Sequence, residues 1–346
     1  MKDRVHYIDN LRWITVFLLV LYHVAMAYNT WGEANYIFFE AVRPISAIVV
    51  FISPWFMPLM FLLAGVSASF SLAKRGYVTF IKERFSRLGT PLIIGLIFLI
   101  PILSHVADVT HNGYKGDLFA HYPVFFTKFT DLTGYDGGFS LGHLWFITVL
   151  ILISFISCGV IKLLENVMNK NKAAMTVIGV ILTVTAVLSF DVKLIGKPLI
   201  TYLCVYLIGF YFFSDKEFVN RIVKLKWLYT AVFLISSAAN VVLFIYIGGY
   251  ELLNNICNRL SFVSGVLALI SLGHDHLDRT GPFAAFNSKI SYIFYIIHFP
   301  LVVRCQYLLD SAGVKSITNF FLSVLICYPI TYLACYMLES FLKPKR

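Results

Sequence analysis

Apolar residues along this chain come in runs too long for the core of a soluble domain. Ten such runs can be drawn, at 9–30, 45–73, 89–106, 141–163, 173–190, 198–213, 227–247, 252–273, 286–308 and 317–342, divided by short polar segments. Most have the roughly 17–25 residues that an α-helix needs to cross a hydrocarbon core, and flanking residues complete the shorter ones. The pattern predicts an all-α fold, a polytopic membrane protein of about ten transmembrane helices built as a single domain over 1–346. Pro54 and Pro58 lie early in the second run, where each removes a helical hydrogen bond. The start of that run is therefore expected to be a separate turn or short interfacial helix. One long polar stretch, about 107–140, holds His111, His121, Asp131, Asp136 and Gly137-Gly138. Loops of this length commonly carry function or lack order. No internal repeat is visible.

Composition agrees with lipid as the solvent. The chain is 59% hydrophobic and 13% charged, with 32 Phe, and its mean hydropathy is +0.80. A soluble surface needs more charge than that. A net charge of +10 raises the question of nucleic acid. The cations sit in short loops between apolar runs, which is a mark of membrane orientation and not of a polyanion groove. With the N-terminus inside, nineteen Lys and Arg fall on the cytoplasmic side, including Lys2, Arg4, Lys170, Lys343, Lys345 and Arg346, against six outside. Both termini are expected in the cytoplasm, and the protein in the cell (cytoplasmic, inner) membrane. Ala25-Met26-Ala27 resembles a signal-peptidase site, but Asp9, Arg12 and His23 upstream favour a retained first helix. The six cysteines lie in apolar runs without a CxxC pair and are read as small buried hydrophobes, with no metal site expected.

Ionisable groups inside the bilayer are expensive and usually mark a pathway or a site. Arg12 and His23 are eleven residues apart, three turns plus roughly 20°, so they share a helix face about 16 Å apart along the axis. Asp9 lies one turn before Arg12 and can pair with it. Arg12 then sits near the cytoplasmic boundary and His23 in the outer half. A snorkelling Arg12 and a His23 bonded to a neighbouring helix remain the plain alternative.

Further clusters share that ambiguity. In Lys82-Glu83-Arg84-Phe85-Ser86-Arg87, the guanidiniums of Arg84 and Arg87 suit phosphate oxygens, though they also fit ordinary positive-inside charge. His143 and Trp145 open the fourth run, where taken alone they read first as an interfacial belt. Tyr292, Tyr295 and His298 follow at i, i+3, i+6, as a polar stripe or as a core histidine bonded to a hydroxyl. Asn255 and Arg259 stand one turn apart at the start of the eighth run, as a polar face toward the interior or a helix-packing seam. His274-Asp275-His276 is read as part of a cytoplasmic loop, with a metal site as the much less favoured alternative.

Together these residues resemble the acyltransferase 3 family of membrane O-acyltransferases. Arg12 and His23 match its Arg-x10-His pattern in the first helix, and Arg84 and Arg87 its Arg-x-x-Arg pattern before the third. His143-Leu144-Trp145-Phe146 and Ser291-Tyr292-Ile293-Phe294-Tyr295-Ile296-Ile297-His298 look most like the branch typified by glucan biosynthesis protein C. The Trp-Ser-Leu-x-x-Glu stretch of many O-antigen-type members is missing, since Trp145-Phe146-Ile147-Thr148 has no carboxylate nearby. No fused hydrolase-like domain is seen.

The resemblance implies transfer of an acyl group, acetyl or succinyl, from cytoplasmic acyl-CoA to a hydroxyl of a glycan. Arg84, Arg87 and Lys82 would hold the CoA phosphates, with Arg12 able to join them, and His23, Arg12 and Asp9 would form the catalytic set. His23 would act as general base, or be acylated itself. His143, Trp145, Tyr292, His298, Asn255 and Arg259 would meet the acceptor. The expected partners are a sugar-containing acceptor and the lipid bilayer, with no nucleic acid. A transporter or flippase for a glycan or lipid-linked substrate is the competing class, because the same polar residues could line a translocation path.

Overall fold

The computed structural model describes residues 5–170, 172–188 and 192–342. The cations Lys2, Arg4, Lys343, Lys345 and Arg346, the side chain of Lys170 and the end of the run 173–190 lie outside the described residues. Helices α1 (His6–Met26) and α2 (Arg43–Arg75) come first, then α3 (Tyr77–Arg84), α4 (Thr90–Phe98) and α5 (Ile100–Asn112). A short α6 (Leu118–Thr127) precedes α7 (Trp145–Lys170) and α8 (Lys172–Leu188). A two-stranded antiparallel hairpin, β1 (Lys193–Leu194) and β2 (Lys197–Pro198), leads into α9 (Leu199–Tyr211) and α10 (Lys216–Val223). The chain ends with α11 (Lys226–Val241), α12 (Glu251–His276), α13 (Pro282–Ser311) and α14 (Ser316–Leu342).

Among the described residues, eight helical stretches are long and apolar enough to cross a membrane, with Tyr77–Asn112 counted as one. The number becomes nine if α9 and α10, bent by 105°, form one broken span. The ten expected runs thus resolve into fewer full-length helices, because α8 is 17 residues long and α9 ends after 13. His274, Asp275 and His276 belong to the last turn of α12 and not to a loop, and Asp275 pairs with Lys226.

The proline-rich start of α2 is a correction. Helix α2 runs unbroken for 33 residues with Pro54 and Pro58 inside it. Pro54 has no N–H to offer the carbonyl of Val50. The buried Asn240 of α11 donates its Nδ2 to that oxygen instead, at 3.4 Å. A neighbouring helix supplies the bond that the sequence pattern counts as lost.

Helices α2 and α9 approach with almost no side chain between them. A Cβ on Gly65 would stand 2.0 Å from the carbonyl oxygen of Tyr206, and one on Gly209 would stand 2.2 Å from that of Leu62. Small residues at such crossings let backbones meet where lipid offers no hydrophobic drive for association.

Helix α1 is held by polar contacts at both ends. Asn10 donates Nδ2 to the carbonyls of Leu277 and Arg279, at 2.7 and 2.9 Å. At the other end, Gln306 of α13 donates to the carbonyl of Val24, at 3.2 Å. That carbonyl is in the last turn, where helical donors run out. These contacts fix the rotation of α1, and with it which side chains face the interior.

Candidate active site

Two chambers open at opposite ends of the face that α1 turns inward. One has a volume of about 420 Å³ and is lined by Arg12, Arg75, Arg84 and Arg87 together with Ser67, Ser291 and Tyr292. The other, about 470 Å³, is lined by His23, His143, Trp145, Tyr295, Phe299 and Lys197, among others.

In the arginine chamber, Arg12 donates Nη1 to Asp9 Oδ1 at 2.9 Å and Nη2 to Ser67 Oγ at 2.7 Å. The bond to Ser67 holds the guanidinium against α2, while Asp9 ties it back to α1 itself. Arg75 pairs with Glu83 across the turn at Gly76, and the guanidinium of Arg84 stands 5.0 Å over the ring of Phe80. Arg87 is carried on a π-helical turn, Phe85–Gly89, that joins α3 to α4. Such turns widen a helix locally and recur at functional sites.

Two imidazoles, His23 and His143, line the histidine chamber, and a third, His298, is buried against both. The ring centre of His23 lies 4.0 Å from that of Phe299, nearly parallel to it, and 5.3 Å from that of His298. His143 is also 5.3 Å from His298. His143 Nε2 lies 2.8 Å from the carbonyl of Ile296, and His298 Nδ1 lies 2.7 Å from that of Tyr295. A carbonyl only accepts, so each of these nitrogens donates, which assigns the tautomers of the neutral rings. The opposite nitrogens, His143 Nδ1 and His298 Nε2, are buried without a hydrogen-bond partner among the described residues. Tyr295 Oη donates to the carbonyl of His143, tying α13 to the start of α7.

A void of about 10 Å³ separates the chambers. Leu19, Phe56 and Met57 wall both it and the histidine chamber, while Val16, Met60 and Phe146 wall both it and the arginine chamber. Tyr295 lines all three spaces. A space this small is at the limit for a single water, so the passage is closed by apolar side chains.

Outside the spans, burial pushes the phenol of Tyr135 up to about 12, with the Glu33 carboxylate adding to the effect. Burial draws the ammonium of Lys197 below its ordinary range, and Glu33 opposes that shift.

Several expected site residues fall elsewhere. Tyr292 lines the arginine chamber and not the histidine chamber, because six residues of helix separate it from His298 by about 9 Å of axial rise. Lys82 is exposed and lines neither chamber, since it sits roughly 200° around the helix from Arg84. Asn255 is exposed, and neither it nor Arg259 lines a chamber. The buried face of α12 runs through Cys257, Ser261 and Gly265, again about 200° away. His298 is fully buried behind His23 and does not itself line the chamber. Arg75 and Ser67 line the arginine chamber, and Tyr36 and Lys197 the histidine chamber, yet in sequence they read as ordinary loop charge, helix polarity or, for Tyr36, a loop aromatic.

A family model described as an acyltransferase domain (acyltransferase 3) matches residues 5–339. No curated protein and no solved structure matches the chain. The match takes in both chambers and all but the last residues of α14, so this chain belongs to the acyltransferase 3 domain family.

Proposed function

We propose that the chain moves an acyl group from acyl-CoA, bound at the arginine chamber, to a hydroxyl of a glycan entering the histidine chamber. The observation that carries this reading is the pair of chambers on one face of α1, guanidiniums at one end and imidazoles at the other, with Tyr295 common to both. With both termini in the cytoplasm, as the loop charges favour, the arginine chamber faces the cytoplasmic pool of CoA esters. Planar guanidinium forks match phosphate oxygens in pairs. Displacement of the side chains that close the constriction, Met60 and Phe146 among them, then lets the pantetheine arm reach His23.

His23 in its neutral form accepts the proton of the acceptor hydroxyl as that oxygen attacks the thioester carbon. The tetrahedral intermediate collapses with loss of the CoA thiolate, which takes the proton back from His23. In a two-step variant, His23 carries the acyl group before the hydroxyl attacks. Membership of an acyltransferase family favours this chemistry over the transport reading. Acetyl and succinyl are the donors to try first, and a glucan the first acceptor, from the likeness to the glucan biosynthesis branch.

The test uses purified protein, acetyl-CoA or succinyl-CoA labelled in the acyl group, and surface glycan as acceptor. His23→Ala should lower transfer by about 10²-fold or more, with folding unchanged. A fully active His23→Ala protein sinks the assignment.

A further inference from the structure

The hairpin between α8 and α9 turns through Ile195 and Gly196, with φ of 54° and 70°. A two-residue turn with both central residues left-handed matches the twist of its strands, but asparagine, aspartate and glycine usually fill it. A β-branched residue there is strained and persists where surrounding structure fixes it. Ile195, Gly196 and Lys197 all line the histidine chamber. The strained turn therefore delivers Lys197 to the chamber wall, where its Nζ stands 5.0 Å over the ring of Trp145.

Lys197 shares the chamber wall with two carboxylates, Glu33 and Asp131, neither of which is bonded to it. Among the described residues, no carboxylate lies within ion-pair distance of its ammonium, and Glu33 reaches it only through space. Glu33 accepts from Trp31 Nε1 at 2.9 Å, while Asp131 accepts from the backbone and the hydroxyl of Thr133 at 2.9 and 2.7 Å. Lys197 is the one Lys or Arg among the residues lining this chamber. A half-buried cation without a bonded counter-ion gains from a ligand that supplies the anion.

The geometry points to Lys197 as the anchor for an anionic group, a carboxylate or phosphate oxyanion, on the substrate that enters the chamber beside His23. The inference rests on the chamber being where transfer occurs, and it narrows the substrate class. The anion can come from either side of the reaction: a distal carboxylate on the acyl group, or an acidic group on the sugar.

Binding to the purified full chain tests this without turnover. The donor arm compares succinyl-CoA with acetyl-CoA, and the acceptor arm compares methyl glucuronoside with methyl glucoside. In one arm the wild-type protein should bind the anionic member about tenfold tighter or more, and that arm identifies the source. Lys197→Met should erase the preference and Lys197→Arg should keep it. Equal binding within both pairs by wild type overturns the inference, as does a preference that survives in Lys197→Met. Should Lys197→Met not fold, loss of the preference in Lys197→Arg also overturns it. Loss of labelled transfer with the binding preference intact counts against the acyl-transfer reading alone.

Discussion

Asn240 of α11 donates to the carbonyl of Val50 in α2, the group that Pro54 leaves without a helical partner. The bond lets one helix carry both Phe56 and Met57 at the constriction and Ser67 at Arg12. Replacing Asn240 by the similarly shaped Leu should leave the Val50 oxygen buried and unbonded. The loss should be near the low end of about 1–3 kcal/mol, because the bond is long at 3.4 Å. Pro54→Ala restores an N–H at the position that serves Val50, so Asn240→Leu should cost less in that background. Thermal unfolding of the four proteins in detergent gives the coupling. Strictly additive losses would show that Asn240 does not serve this carbonyl.

The segment above the histidine chamber carries a pH-sensitive contact. His121 Nε2 donates to Asp108 Oδ2 at 3.1 Å, and Asn112 donates to Asp108 Oδ1 at 2.7 Å and to the carbonyl of Asp136 at 3.0 Å. Gly137 packs so closely on Asp108 that a Cβ there would meet its side chain at 2.5 Å. Burial lowers the pKa of His121 below its ordinary 6.5, while Asp108 pulls the other way and His105 and Lys128 add to the lowering.

The unfolded segment therefore binds more protons between the lowered value and 6.5. Stability is full above 6.5 and falls as pH drops below it, by at most about 1.4 kcal/mol per pH unit. Hydrogen exchange over 118–140, corrected for intrinsic rates, should show weaker protection at pH 5 than at pH 7.5. His121→Gln should flatten that dependence. An unchanged slope in the variant would place the titrating group elsewhere.

The sequence carried much of this arrangement and lost particular parts for physical reasons. Arg12, Asp9 and His23 were legible because helical spacing is local, and eleven residues put them on one face whatever packs outside. The pairing of Asp9 with Arg12 is of the same kind. The continuity of α2 was not legible, because the donor that compensates Pro54 comes from Asn240, far along the chain. Tyr292 and His298 share a stripe but differ in depth, and depth depends on which neighbours wall each chamber. Asn255 and Arg259 lie outside both chambers, and polarity at a helix end does not say which side faces inward. Lys197 was hidden for the opposite reason: in sequence it is one loop cation among several, and its place over Trp145 comes from the turn at Ile195.

The division of the arginine chamber gives a prediction with an internal control. Arg84 and Arg87 both line it, whereas Lys82, two residues before Arg84 and exposed as Arg87 also is, lines neither chamber. Arg87→Ala should raise the apparent KM for acyl-CoA by about tenfold, since a charge-assisted bond to phosphate is worth roughly 1.5–3 kcal/mol. The KM for acceptor should change little, because the acceptor is read as entering the other chamber. Lys82→Ala should change the requirement for acyl-CoA far less than Arg87→Ala. Steady-state kinetics with each substrate varied in turn separates these outcomes. Equal changes in both KM values for Arg87→Ala, or an equal effect of Lys82→Ala, would mean that net positive charge at this surface and not the chamber arginine holds the donor.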